Sequence, residues 1–509
     1  MTVFLGDPLT FEDVAAVAIG HERVEPASGL ADAMAPARAV VDRAVDGEHA
    51  VYGITTGIGD LATVRIDPKD AKRLQRDLVR SHATAVGDPL DEDVVRAMML
   101  LKARTFSFGL SGVRIDLVER FATLLNARIH PVVPSQGSLG ASGDLAPLAH
   151  LALPLIGEGR VDYEGRTVDS AEALRAAGIE PLELSYKEGL SLINGTEMML
   201  ALGILTLVGA ENVARSADVT SAMTLEACLG TDRAFDEDLI RARKQPGAHV
   251  VASNLRALLD GSEIVASHRE SEHLVQDAYS LRCTPQVHGA YRDGFRYVRS
   301  VLEAELASAI DNPTVLAERG EVLSGGNFHG ESLALALDHL GLCIAGFATI
   351  AERRVARLVD PDLNNGLPAF LTTDPGRRSG FMLPQYTAAS LVSENRSLCW
   401  PASSDSIPTS AGQEDHVSMG ATSARKARTI LANTEHVIAV EALAAAQGLD
   451  LRSPLQPARA TDAARISVRK VSSYLDDDRT LADDISDVAE LVRAGGLVTA
   501  VADSGVRLD

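Results

Sequence analysis

Aromatic residues make up only 4% of the 509-residue chain, with a single tryptophan. That scarcity speaks against a β-sandwich or barrel, whose pleated faces draw on aromatic and β-branched side chains. Cysteine is scarcer still, since Cys228, Cys283, Cys343 and Cys399 stand far apart and form no CxxC pair. Neither a zinc site nor a disulfide framework is indicated, and a reducing compartment fits best. Positive charge is in deficit, 48 basic against 70 acidic residues for a net charge of -22, which argues against a nucleic-acid or anionic-membrane partner. Long hydrophobic runs are missing too. The longest, residues 340–351, is too short to span a bilayer, and MTVFLGDPLTFEDV at the start has no basic segment leading into an apolar core. The expectation is a cytoplasmic protein, neither exported nor inserted in a membrane.

No proline- or serine-rich linker and no repeat of fixed period interrupts the 53.8 kDa chain, so it reads as one main body with attached elements. What is abundant is apolar sequence at helical spacing. Val118, Phe121, Ala122 and Leu125 form one stripe, and residues 196–227, 331–358 and 414–447 read as long helices. Thr10 followed by Asp13 marks the start of the first helix. Residues 421–447, rich in alanine, look buried on more than one side. The expected fold class is mainly α: a long central helical bundle with C-terminal helical elements over residues 141–509, preceded by a mixed region, 1–140, that carries a lid loop.

Gly137-Ser138-Leu139-Gly140-Ala141-Ser142-Gly143-Asp144 is the most informative stretch. Taken alone it is an ordinary turn-forming loop. Yet Ala141, Ser142 and Gly143 offer almost no steric resistance, so the Gly143 nitrogen can approach the Ala141 carbonyl carbon and close a five-membered ring. A serine hydrolase built on Ser142, Asp144 and His150 is disfavoured, because no Gly-x-Ser-x-Gly elbow follows a strand. Metal hydrolysis lacks an HExxH, and His329-Gly330-Glu331 has no defined third ligand.

Other segments give the tripeptide its meaning. Tyr52-Gly53-Ile54-Thr55-Thr56-Gly57, Ser81-His82, Asn194-Gly195-Thr196, Gln276-Asp277-Ala278-Tyr279-Ser280-Leu281-Arg282, Gly326-Asn327-Phe328-His329 and Gln413-Glu414-Asp415-His416 follow in order. Together with Ala141-Ser142-Gly143-Asp144 they resemble the aromatic amino acid ammonia-lyase family from about residue 52 to 448. The resemblance implies a fumarase/aspartase-like helical architecture and a homotetramer whose active sites are shared between subunits. It implies that Ala141, Ser142 and Gly143 form a 4-methylidene-imidazol-5-one autocatalytically, with no external cofactor and no metal. It also implies roles: Tyr52 in acid/base work at the β-carbon, Tyr279 as a second phenol near the electrophile, and Phe328 at the substrate.

Residue chemistry agrees with those roles. The Arg282 guanidinium is a rigid fork that matches a substrate carboxylate. Asn194 and Gln276 are neutral amides that both donate and accept. His82 and Glu414 suit an imidazole side chain, where phenylalanine-selective relatives tend to carry an apolar and an amide residue, so histidine is the favoured substrate and trans-urocanate the expected product. Thr55 and Ile58 depart from the usual pattern, which has Asn and an aromatic there. Tyrosine or phenylalanine as substrate, an aminomutase with the same electrophile, and a non-catalytic helical scaffold remain as alternatives.

Overall fold

Val118, Phe121, Ala122 and Leu125 lie on one helix, Ile115–Asn126, and none is more than 4% exposed. The spacing at i, i+3, i+4 and i+7 is what a helix needs to turn one stripe inward. The first helix, Phe11–Ala18, begins where expected: Asp13 N–H donates to Thr10 Oγ1 at 3.2 Å, and Thr10 N–H returns a bond to Asp13 Oδ2 at 2.9 Å. Each bond satisfies an amide that helix geometry leaves unpaired.

The computed structural model describes residues 2–46, 51–270 and 275–509. Twenty α-helices account for most of them, and the nine strands are only two to four residues long. Two compact units result. The first comprises Met1–Leu205, Arg299–Asp338 and Pro401–Arg425; the second comprises Thr206–Val298, His339–Trp400 and Lys426–Asp509. Residue 140, the boundary expected from the sequence, is interior to the first unit.

All the described strands belong to the first unit. Thr2–Leu5 pairs in parallel with Arg23–Pro26, and His130–Pro131, Arg160–Tyr163 and Arg166–Asp169 form an antiparallel three-stranded sheet. Two antiparallel pairs complete the set, Val86–Pro89 with Pro134–Gln136 and Thr314–Leu316 with Glu321–Leu323. The unit's core is threaded by helix Glu92–Ser107, buried from Val94 onward. Arg96 on that helix is 1% exposed yet well satisfied, donating to Val17 O, Ala18 O and Leu125 O at the carbonyl ends of two neighbouring helices. Its fourth partner is His130 Nε2 at 2.8 Å. Such a complete set of acceptors is what makes a buried guanidinium tolerable.

The second unit is helical throughout. Its core holds a closed polar network in which Asp218 accepts from His288 Nδ1 at 2.7 Å, Arg292 Nη2 at 2.7 Å and Asn254 Nδ2 at 3.0 Å. Arg354 pairs with Glu441, which also accepts from Thr220 and Thr224. Two of the three long helices match the periodicity closely, as Glu197–Ala227 and Glu331–Val359. The third, Gly420–Leu451, begins six residues later than the pattern indicates. Residues 414–419 are held instead as a loop, with Glu414 bridged to Thr409 and Met419 at φ +56°.

Helices Glu197–Ala227 and Glu331–Val359 are each long and apolar enough to cross a membrane, a point that the run length at 340–351 does not reveal. Their apolar windows are 78% and 67% buried within the protein. Burial on that scale is how a core helix satisfies an apolar composition.

Candidate active site

Four loops and two helix ends of the first unit surround a cavity of about 760 Å³. Its walls include Tyr52, His82, Ala141, Ser142, Asn194, Phe328 and Glu414, all anticipated from the sequence and separated by as much as 362 residues of chain. The size suits a small-molecule ligand.

At the centre the tripeptide is pressed against a second backbone segment. Gly143 and Gly195 form a parallel bridge, Asp144 N–H donates to Gly195 O at 2.6 Å, and Gly195 N–H donates to Ser142 O at 3.3 Å. Gly143 has φ +74°, and a Cβ there would overlap the Gly195 carbonyl, so no other residue fits. Helix Leu145–Ala152 starts immediately after this contact on one strand of the bridge, and helix Glu197–Ala227 on the other.

Asp144 braces the arrangement. It is fully buried, accepts from Ser138 Oγ at 2.8 Å through one oxygen and from Met199 N–H at 3.0 Å through the other. Burial pushes its carboxyl up to about 7 despite those two donors. From the far side Met419 N–H donates to Leu139 O at 2.9 Å, and Ser418 Oγ lies where a Cβ on Gly140 would sit.

The backbone at 141–143 therefore fits a methylidene-imidazolone: a small-residue turn with no Cβ at 143, closely confined on two sides. In the unmodified chain the Ser142 hydroxyl donates to Glu414 Oε1 at 3.2 Å. The other carboxylate oxygen, Oε2, accepts from Thr409 Oγ1 at 2.8 Å, and the Thr409–Glu414 backbone bridge fixes the loop that carries it.

His82 ends helix Pro68–His82, and its Nδ1 donates to Leu78 O at 2.9 Å. A neutral ring with its proton on Nδ1 leaves Nε2 as the acceptor. Tyr52 Oη accepts from Gly59 N–H at 3.1 Å, which orients the phenol on its loop. Thr55 is 3% exposed and accepts from Val51 N–H at 2.8 Å, so it holds the turn, whereas Ile58 lines the cavity.

Gln276, Tyr279 and Arg282 are not walls of this cavity; they belong to the second unit. Tyr279 is 72% exposed, with the Arg282 guanidinium 4.7 Å above its ring, and Gln276 is exposed beside buried Asp277. The Nε of Arg282 is buried without a hydrogen-bond partner among the described residues. Sequence order alone could not separate the two groups, because proximity in a folded chain is not written in motif spacing.

Reasoning from motifs also missed contributors. Asn312, Ser324, Gly325 and Ser410 line the cavity. Beneath it lie two buried ion pairs, Lys102–Glu197 at 3.0 Å and Lys187–Asp311 at 2.7 Å. Lys102 lies within helix Glu92–Ser107 and Lys187 in the turn before helix Glu188–Ile193, and neither stands in a motif that singles it out. Among the described residues no group of three or more His, Cys, Asp or Glu side chains is arranged to hold a metal ion.

Comparison with known proteins follows the same outline. The family model for aromatic amino acid lyases matches residues 9–470. A protein of Koribacter versatilis described as a histidine ammonia-lyase is 50% identical over 507 residues, covering 97% of this chain and 98% of that one. The crystal structure of histidine ammonia-lyase from Trypanosoma cruzi superposes with TM-score 0.91 at 41% identity, over 99% of this chain and 95% of that one. A tyrosine aminomutase from Streptomyces globisporus superposes with TM-score 0.93 at 39% identity over the full length of both. The architecture is the mainly helical, fumarase/aspartase-like one. By the extent of the family match and the near-complete coverage at 50% identity, the chain belongs to the aromatic amino acid lyase family.

Proposed function

We propose that the protein eliminates ammonia from L-histidine to give trans-urocanate, the opening step of histidine breakdown. The observation that carries this reading is the placement of Glu414 within hydrogen-bond reach of Ser142, in a cavity that His82 also lines. A carboxylate and an imidazole acceptor together suit a substrate ring bearing an N–H, and neither offers a benzene ring anything. The relatives described as histidine ammonia-lyases support the same choice.

Ala141, Ser142 and Gly143 are the residues from which the prosthetic group forms, by ring closure and loss of two waters. When formed, it supplies an electrophilic methylidene carbon that activates the substrate toward loss of ammonia. The chain's own side chains do the rest. Tyr52, its Oη positioned by the Gly59 amide, serves in acid/base work at the β-carbon. His82 Nε2 accepts from the substrate ring, its orientation fixed through Leu78 O. Phe328 closes the apolar wall and excludes water.

The substrate carboxylate requires a cation, and Arg282 is the guanidinium proposed for it. Gln276, Tyr279 and Arg282 then reach the cavity of another copy in a homotetramer, which accounts for the exposure of Tyr279 in the single chain. Four free cysteines accord with a cytoplasmic location.

The test is an assay of histidine, tyrosine and phenylalanine, following free ammonia and the acrylate product. Release of trans-urocanate from histidine is the expected result; a β-amino acid as sole product would overturn the lyase reading. Shared sites are checked by mixing two inactive variants, Ser142→Ala and Arg282→Ala. Mixed oligomers regain activity if the two residues serve one site from different subunits, and stay inactive if each chain is self-sufficient.

A further inference from the structure

We propose that Lys187 and Asp311 form a positioning pair that fixes the Asn194 amide, so that Asn194 presents only its carbonyl oxygen to the cavity, as an acceptor for the substrate's amino group. The inference rests on the amino acid lyase reading above and deepens it.

Asn194 caps the end of helix Glu188–Ile193, and its backbone is held on both sides. Its N–H donates to Leu190 O at 3.1 Å, and its carbonyl receives Lys102 Nζ at 2.6 Å. The side chain is equally constrained. Nδ2 donates to Asn312 O at 3.0 Å and more weakly to Asp311 Oδ1 at 3.5 Å. Both neighbours are acceptors. Reversing the amide would set its oxygen against a carbonyl and a carboxylate, leaving buried acceptors opposed. With Nδ2 committed, the carbonyl oxygen is what Asn194 has left for the cavity that it lines.

The carboxylate must stay charged for this to hold. Asp311 Oδ2 accepts from Lys187 Nζ at 2.7 Å and Ser191 Oγ at 2.8 Å, while Oδ1 accepts from Asn312 N–H at 2.8 Å. Burial opposes charge on Asp311, but Lys187, Lys102 and these donors outweigh it and hold the carboxyl below its usual range. Lys187 is itself fully buried, so the pair is sealed from water and from salt.

An acceptor of fixed orientation suits an amino group in particular. A neutral carbonyl oxygen takes an N–H from an ammonium or from an amine, so it serves the nitrogen before and after it gives up a proton. Asn194 read from sequence as either donor or acceptor; its surroundings leave one role.

The experiment is a double-mutant cycle in the full-length enzyme with histidine as substrate. Asp311→Asn replaces one of the two acceptors that oppose the reversed orientation with an amide that can donate to it, and loosens the hold on Asn312, whose carbonyl is the other. Because it also leaves Lys187 buried without a counter-ion, the neutral pair Lys187→Met with Asp311→Asn is made beside it. Both are expected to shed two waters as the wild type does, to lose kcat by about 100-fold with little change in KM, and to bind imidazole propionate, which lacks the amino group, as the wild type does. In an Asn194→Ala background the same changes should cost less than about twofold more. Equal losses with and without Asn194, no loss in either variant, weaker binding of imidazole propionate, or failure to shed the two waters would each overturn the proposal. A wild-type enzyme inactive on histidine would overturn the function reading instead, and the wild-type control is measured first.

Discussion

The Ser142 hydroxyl and the Glu414 carboxylate, 272 residues apart in the chain, are hydrogen-bonded at 3.2 Å. The contact joins the centre of the small-residue turn to the residue proposed to recognise the substrate ring. Ser142→Ala removes the hydroxyl that ring formation would expel as water. The variant is expected to keep the mass of its sequence, where the wild type is lighter by two waters, and to lose at least about 1,000-fold in kcat, roughly 4 kcal/mol of barrier. Intact-mass measurement and an ammonia assay decide it; a variant that still sheds water at this site contradicts the assignment.

Gly143→Ala is a steric test of the same turn. At φ +74° any side chain is strained, and here the Cβ would overlap the Gly195 carbonyl. The expected outcome is a protein that is either poorly folded or unmodified in mass, with turnover below detection. Gly165→Ala, at φ +73° but with open space around the Cβ, isolates the backbone penalty and should leave activity intact. Comparable losses in the two variants would show that the crowding at Gly195 is immaterial.

Selectivity is expected to follow His82 and Glu414. His82→Leu with Glu414→Gln removes the imidazole acceptor and the carboxylate charge, leaving only a neutral amide for a ring N–H, and histidine turnover should fall by at least about 100-fold, roughly 3 kcal/mol in the transition state. Tyrosine or phenylalanine turnover should rise relative to histidine. Steady-state kinetics on the three amino acids measures both, and unaltered histidine kinetics would remove these residues from ring recognition.

How much of this was legible in the chain depends on what kind of signal each residue leaves. The capping pair Thr10–Asp13 and the stripe on helix Ile115–Asn126 are local, and local rules located them. Tyr52, His82, Asn194, Phe328 and Glu414 sit in motifs whose company identifies them, and one cavity contains them all. Asp311, Lys187 and Lys102 were illegible because a buried charge is defined by its partner, and each partner lies about 95 to 124 residues away. The start of helix Gly420–Leu451 was misjudged because residues 414–419 continue its apolar rhythm while their backbone is bent to serve the site. The membrane-length helices posed a similar difficulty, since burial, not composition, distinguishes a core helix from a spanning one.

Stability is expected to depend on pH through Glu226 in the second unit. Burial raises its carboxyl from 4.5 to about 7, while Ala458 N–H donates to it at 2.7 Å. The folded state therefore binds a proton that the unfolded chain releases near 4.5. Its contribution is full below that value and is lost as pH rises through about 7. Glu226→Gln keeps the acceptor for Ala458 and does not ionise, so its advantage over the wild type should grow from about pH 4.5 to about pH 7 and then level off, at about 3 kcal/mol. Denaturant midpoints across that range test it; parallel profiles would count against a buried, protonated Glu226.

His130 produces the opposite slope. Burial, the Arg96 guanidinium beside it and His21 lower its pKa from 6.5 to about 3. The unfolded chain takes up the proton first, so the stability that His130 contributes is full above about pH 6.5 and is lost as pH falls toward 3. His130→Gln can still accept from Arg96 and should flatten this acid limb, read as a smaller loss of melting temperature between pH 6.5 and pH 4. An unchanged acid limb would place the acid sensitivity elsewhere.

The turn at 141–143 is confined by Gly195, braced through Asp144 to Met199, and closed from the far side by Met419. None of those partners exists on the ribosome when the tripeptide itself emerges. On the proposed chemistry, then, synthesis sets a schedule: a nascent chain released before about residue 420 should carry an ordinary Ala-Ser-Gly however long it waits. Maturation becomes a report that three distant stretches have met, and the water lost serves as a clock for the last of them to arrive.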